Sequence, residues 1–458
     1  MTLRILLLSF YYPPDLAAGS FRVEALVNAL LENGSGKLHI DVVTTKPNRY
    51  HSYNAPADRY QESPQLSIRR IRLPAHKSGA LDQAKAFATY VRGVRKAVKG
   101  EDYDLIVASS SRLMTAALGA ALAFRRNTPL YLDIRDIFVD TLPELFPGIA
   151  GRMITRIFAL IERLTVRQAS RVNLISPGFQ SYFSERYPGR TFSTYTNGID
   201  DLFLRPLVSP VKLSLEKPRI EKLSLEKKAP EKQSAVPACL KIVYAGNIGA
   251  GQGLEHFLPQ LAQQLVDTAQ FYIIGDGGSA GKLREALVLH NVTNVELLAP
   301  TKRSNLINHY RQADVLFLHL NTFKSFRRVL PSKLFEYAAT GKPILAGLAG
   351  YAKQFTKAKI ANACVFEPGD INGAVQALRR LSLTSVSRAT FIEDYSRSSI
   401  QQLMALDILN TPQPLKQRGR LYPHYQALKH WLFIQLDWIS TPCRFPVVSE
   451  VMAASIWG

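Results

Sequence analysis

Apolar, β-rich runs alternate along this chain with segments whose apolar positions recur at helical spacing. In the first half the runs are residues 5–10, 38–44, 66–73, 104–109, 130–134, 172–176 and 192–196, with helical patterns at 22–33, 80–98, 115–124 and 149–168. Such alternation predicts a parallel sheet covered on both faces. It restarts at Cys239, with runs at 240–245, 270–274, 292–298, 314–320, 344–346 and 364–366, and helical patterns at 254–266, 280–290, 303–312, 332–339 and 371–381. The expected fold class is therefore α/β, with two doubly wound, Rossmann-like domains facing across a cleft lined by the carboxyl ends of their strands.

The segment 206–238 interrupts the pattern. It repeats KLSLEK and is dominated by Lys, Glu and Pro, so it cannot bury a core and reads as a linker or insertion. The expected organisation is a first domain at 1–205, this linker, and a second domain at 239–385. A helical return at 386–410 and a basic, aromatic extension at 411–458 follow. The extension places Leu428, Trp431, Leu432, Gln435 and Trp438 along one side, for packing on the body or for a membrane interface.

Composition sharpens the setting. The chain of 458 residues carries a net charge of +21, which favours anionic partners. The lysine-rich linker holds part of that surplus and no recognition motif appears, so nucleic acid is not an expected partner. Cys239, Cys364 and Cys443 stand far apart with no CxxC pattern, which fits a reducing compartment and argues against a zinc site. Arg4 followed by Ile5-Leu6-Leu7-Leu8 could imitate a leader peptide, but the run stops at Tyr11-Tyr12-Pro13-Pro14 and fits a first buried strand better. No stretch of eighteen apolar residues exists.

Four regions carry candidate chemistry. Residues 327–343, RRVLPSKLFEYAATGKP, predict a loop ending at Pro331, a short helix bearing Lys333 and Glu336, and a Gly341-Lys342-Pro343 turn. A base and an acid three residues apart then project from a helix N-terminus at the sheet rim, where anions and sugar hydroxyls are held. Residues 10–22 place Gly19 and Ser20 at a helix start after the first strand, a phosphate site by geometry, with Arg22 one turn further on. Residues 244–254 bring Gly246, Gly249, Gly251 and Gly253 between a strand and a helix; Gly275, Gly277 and Ala280 match a GxGxxA pattern, but after the second strand of the sheet, whereas the dinucleotide fingerprint belongs after the first. At 133–136 and 140, Asp133 suits a buried or capping role. Asp136, nearer the cleft, suits an acceptor hydroxyl; the spacing matches no metal-binding loop.

Taken together these pieces resemble family 4 of the GT-B-fold glycosyltransferases, the retaining sugar-nucleotide transferases. The matching motifs are PPDLAAGSFR, LDIRDIFVD, LISPGF, TNGID, VYAGNIGAGQGLE, IIGDGG, ADVLFLHL and LPSKLFEYAATGKPILA, in family order. The chain is most similar to the subgroup that builds O-antigen and capsule-type surface polysaccharides. The resemblance implies a nucleotide-diphosphate sugar on the second domain and a glycan or polyprenyl-linked acceptor on the first. Glu336 corresponds to the second Glu of the family's E-x7-E motif, which holds the ribose. Lys333, Gly246, Asn247, Gly249, Gly275 and Asp276 would form the rest of the donor site, and Gly19, Ser20 and Arg22 the acceptor side. Asp136 and Glu336 are the expected catalytic pair.

Arg328 stands where the motif has its first Glu, and would add positive charge to the donor site. Asn247 and Gln252 replace the family's usual Arg…Lys pair. The resemblance implies a hexosyl transferase without metal or cofactor, cytoplasmic and peripheral at the inner membrane face. Two alternatives are a catalytically impaired scaffold or regulator of a polysaccharide-assembly complex, and a nucleotide-sugar epimerase.

Overall fold

The computed structural model describes residues 2–48, 55–74, 80–110, 113–204 and 239–412. The expected linker and nearly all of the C-terminal extension lie outside these residues.

The first sheet has seven strands: β1 (Leu3–Ser9), β2 (Leu38–Thr45), β3 (Tyr60–Ser63), β4 (Leu66–Ile71), β5 (Leu105–Ser110), β6 (Leu130–Ile134) and β7 (Arg171–Leu174). Their spatial order is β3-β4-β2-β1-β5-β6-β7, parallel except for the β3–β4 hairpin. The second sheet is wholly parallel, with β8 (Leu240–Asn247), β9 (Ala269–Asp276), β10 (Val295–Leu298), β11 (Val315–His319), β12 (Ile344–Gly347) and β13 (Ala363–Phe366) in the order β10-β9-β8-β11-β12-β13. Leaving the hairpin strand aside, both sheets reverse direction beside their first strand, at β1/β5 and β8/β11. Those are the points where an open α/β sheet leaves a crevice for ligands.

The central strands are apolar throughout because both faces are covered. Ile5 to Leu8 and Leu105 to Ala108 are buried in the first domain, and Ile242 to Ala245 and Val315 to Leu318 in the second. The two helices Ala389–Asp394 and Arg397–Leu409 carry the chain back. The second packs Met404, Ala405 and Ile408 into the core formed by Ile5, Leu26 and Ile40 of the first domain.

Two differences from the sequence reading have physical causes. Residues 192–196 form no strand beyond one bridge, Asn173 to Ser193. Their backbone is taken up by side chains instead: Tyr195 N–H donates to Asn173 Oδ1 at 2.7 Å, and the carbonyls of Tyr195 and Thr196 accept from Arg22 at 2.9 and 2.6 Å. Strand β3, YQES, is exposed along its length and has no apolar face by which to recognise it.

Candidate active site

Between the domains lies a cleft of about 290 Å³, walled on both sides by the carboxyl ends of strands. On the second domain, the loop after β11 stops at Pro331 and the helix Ser332–Ala339 begins without a side-chain cap, so its first N–H groups remain available to an anion. The helix is fixed from behind by the Tyr337 hydroxyl, which accepts from Ala245 N at 3.0 Å. Lys333 Nζ then meets Glu336 Oε2 at 2.8 Å, and the Tyr310 hydroxyl lies 3.4 Å from the same oxygen. Burial alone would raise the Glu336 pKa. The charges of Lys333 and Arg303 more than offset it and hold the carboxyl below its ordinary range. The aliphatic stem of Lys333 passes over Gly246: a Cβ built there would lie 3.5 Å from Lys333 Cε. An ammonium, a backbone without side chain and an ionised carboxylate thus share one wall.

The opposite wall is the start of the helix Ala18–Asn33 with Asp136 beside it. At Gly19 the Arg135 guanidinium lies in the space of the missing side chain, so a larger residue would make that flexible side chain swing away. Asp136 is half-buried, and burial pushes its carboxyl up to about 6 against the lowering effects of the Ile137 N–H and Arg135. That value suits a group that exchanges a proton near neutral pH.

Of the sequence-predicted residues, Gly19, Asp136, Gly246, Asn247, Gly275, Lys333 and Glu336 come together in this cleft. Five others do not line it. Arg22 is fully buried inside the first domain, paired with Asp133, so it is a structural hub and not an acceptor-side group. Ser20 is likewise buried below the helix start. Gly249 turns into its own loop, donating its N–H to Gln252 Oε1 at 3.2 Å, and the Asp276 carboxylate accepts from Gly277 N at 2.8 Å. Arg328 adds no charge to the wall formed by Lys333 and Glu336, because its guanidinium crosses to Asp140 of the first domain. The Ser176 hydroxyl donates to the Arg328 carbonyl at 2.8 Å, and Glu144 accepts from the Ser325 hydroxyl at 3.1 Å. The turn before the helix Ser332–Ala339 is therefore a seam between the domains.

The sequence reading missed Arg303. It opens the helix Arg303–Gln312, reaches Asp200 Oδ2 at 2.6 Å, and lies 4.0 Å over the Phe21 ring of the first domain. Among the described residues its Nη2 has no hydrogen-bond partner, and the residue lines the cleft. Its place in the first turn after β10, at the carboxyl edge of the sheet, was the available signal. Asn197, from the TNGID motif, also lines the cleft. Among the described residues no group of three or more His, Cys, Asp and Glu side chains could hold a metal ion.

The two halves match two family models: a glycosyl transferase 4-like domain over residues 19–191 and glycosyl transferases group 1 over residues 239–383. No curated protein matches the chain. Among solved structures, HepE of Anabaena in complex with UDP-glucose is similar at 17% identity and a TM-score of 0.58, covering 89% of this chain and 99% of that one. WaaG, a glycosyltransferase involved in lipopolysaccharide biosynthesis, is similar at 15% identity and a TM-score of 0.56, covering 89% and 97%. The UDP-forming α,α-trehalose-phosphate synthase of Burkholderia xenovorans with glucose-6-phosphate gives 12%, 0.59, 89% and 100%. These identities carry the fold, and the two domain models, which together span more than half of the chain, carry the family. With a glycosyl transferase 4-like domain set against a group 1 domain across a shared cleft, the chain belongs to the GT-B glycosyltransferases.

Proposed function

We propose that this glycosyltransferase moves a sugar from a nucleoside-diphosphate sugar to a hydroxyl of a lipid-linked glycan at the inner membrane face, in surface polysaccharide biosynthesis, with retention of anomeric configuration. The observation that carries the donor half is the Lys333–Glu336 pair standing over Gly246 at an uncapped helix start. In this reading the Glu336 carboxylate accepts hydrogen bonds from the ribose hydroxyls. The ammonium of Lys333 and the first N–H groups of its helix balance the diphosphate, on which charge develops as the anomeric C–O bond to phosphate breaks. Asp136 accepts the proton of the acceptor hydroxyl as that oxygen bonds to the anomeric carbon on the same face from which the diphosphate departs, the approach that retention requires. The complexes of HepE with UDP-glucose and with UDP support a uridine nucleotide as the first donor to try.

The test is a thermal-shift screen of the full chain with UDP, GDP, ADP, dTDP and CMP, repeated on Glu336→Ala. One nucleotide at a hundred times its dissociation constant should add about 2.7 kcal/mol, and the variant should lose that gain. No stabilisation by any of them would overturn the donor site. A second reading, a catalytically impaired member serving a polysaccharide-assembly complex, is favoured by the absence of an acid at Arg328. It predicts nucleotide binding without turnover of any donor sugar.

A further inference from the structure

The helix Ile149–Gln168 leaves three large apolar side chains in solvent: Ile149 is 72% exposed, Met153 60% and Ile157 56%. Spaced four residues apart, they form one line along the helix. Arg152, Arg156 and Arg163 are exposed on the adjoining line. The helix has a single acid, Glu162, and that side chain is buried, accepting from the Tyr187 hydroxyl at 3.0 Å and the Tyr182 hydroxyl at 3.2 Å. An outward face with an apolar ridge, an arginine ridge and no negative charge is the pattern of a helix lying in a lipid headgroup layer.

The charge of the whole chain points the same way. The linker 206–238 has seven Lys and Arg against four Glu, and the extension 411–458 has five against two acids, so most of the +21 surplus belongs to the two folded domains. The position also fits. The helix Phe138–Leu145 starts two residues after Asp136, is eight residues long and packs against Ile149–Gln168. The apolar end of the ridge therefore stands close in the chain to the acceptor wall of the cleft.

We propose that the exposed face of Ile149–Gln168 is the surface by which the enzyme docks on an anionic lipid bilayer, bringing the Asp136 side of the cleft to the membrane. This deepens, and rests on, the reading of a lipid-linked acceptor. It also assigns the contact to the folded first domain, where the sequence had suggested the aromatic extension.

The experiment is flotation of the full chain with vesicles of phosphatidylethanolamine and phosphatidylglycerol, against phosphatidylcholine alone. Three variants accompany it: Ile149→Ser/Met153→Ser/Ile157→Ser, Arg152→Gln/Arg156→Gln, and Trp431→Ser/Trp438→Ser in the extension. The wild type should float with the anionic vesicles. The apolar triple should weaken partition roughly tenfold or more, and the arginine pair about fivefold per arginine, with a flatter salt dependence. Both helix variants should keep the nucleotide thermal shift, because they lie outside the donor site. If the extension variant loses binding and the helix variants do not, this surface is wrong while the membrane reading survives. A wild type that floats with neither vesicle overturns both. A dimer in solution that the apolar triple splits, without vesicle binding, assigns the ridge to a second copy instead.

Discussion

Arg22 and Asp133, 111 residues apart in sequence, meet in a two-pronged ion pair with neither side chain exposed: Nε to Oδ2 at 3.0 Å and Nη2 to Oδ1 at 2.9 Å. Arg22 also donates to the carbonyls of Tyr195 and Thr196 and reaches Met404 of the returning helix. One guanidinium thus ties together the first helix, β6, the segment after β7 and the last helix. Removing one partner of such a pair costs about 3–5 kcal/mol, because the other charge is left buried alone. Arg22→Met should therefore lower the melting temperature more than Arg22→Met/Asp133→Leu does, by calorimetry.

The same pair sets an acid limit. Burial would raise the Asp133 pKa, but Arg22 outweighs it and holds the carboxyl below its usual range. A depressed folded pKa gives stability that is present above the unfolded value, near 4, and is lost as pH falls through the folded one. The wild type should lose stability more steeply on acidification below pH 4 than the double variant does.

Catalysis should show a different limb. With Asp136 at about 6 and the ionised form accepting the proton, kcat/KM should fall about tenfold per pH unit below 6 and level off above it. Asp136→Asn should remove that limb and slow transfer by about 10² to 10⁴. A pH profile unchanged by the substitution would exclude Asp136 as the base.

Replacing Arg328 by Glu restores the family's motif on paper, yet here it should impair the enzyme. The side chain points to Asp140, and Glu144 lies on the same helix, so a carboxylate would meet like charge across the domain seam. The wild-type pair is partly exposed and Arg328→Ala should cost less than about 1 kcal/mol. Arg328→Glu should reduce kcat/KM several-fold more than Arg328→Ala, with recovery as added salt screens the repulsion. A gain in activity would mean that the side chain swings into the donor wall.

Two glycines separate folding from binding. A Cβ on Gly275 would stand 1.8 Å from the Gly246 carbonyl oxygen, where β8 and β9 pair, so Gly275→Ala should prevent the second domain from closing its sheet. A Cβ on Gly246 meets nothing closer than the Tyr244 hydroxyl at 3.3 Å. Gly246→Ala should keep its fold by circular dichroism but weaken nucleotide binding about tenfold or more, by crowding the space beneath Lys333.

Much of this molecule is legible in its sequence, and the illegible part follows a rule. Strands buried on both faces announce themselves as unbroken apolar runs, and the spacing of the PSKLFEY stretch puts Lys333 and Glu336 on one helix, with the family resemblance supplying their role. What spacing cannot show is direction. Arg22 and Arg328 look like ligand-facing cations in the sequence, but one turns into the core and the other to the neighbouring domain. Arg303 looks like an ordinary helix-start residue, yet it joins Asp200 and Phe21 across the cleft. An arginine's role depends on which carboxylate the fold brings to it, and those partners lie between 103 and 188 residues away.

The return of the last helix has a consequence for synthesis. Met404, Ala405 and Ile408 fill a place in the first domain's core that no earlier segment takes. When residue 204 has been made, the ribosome must still add about 200 residues before that helix exists. At roughly 5–20 residues per second this takes about 10–40 s. Throughout that interval the nascent first domain presents an open apolar seam beside Leu26 and Leu30. It can be finished only by the helix Arg397–Leu409, which makes the interval before that helix is made the time when a chaperone has most to bind.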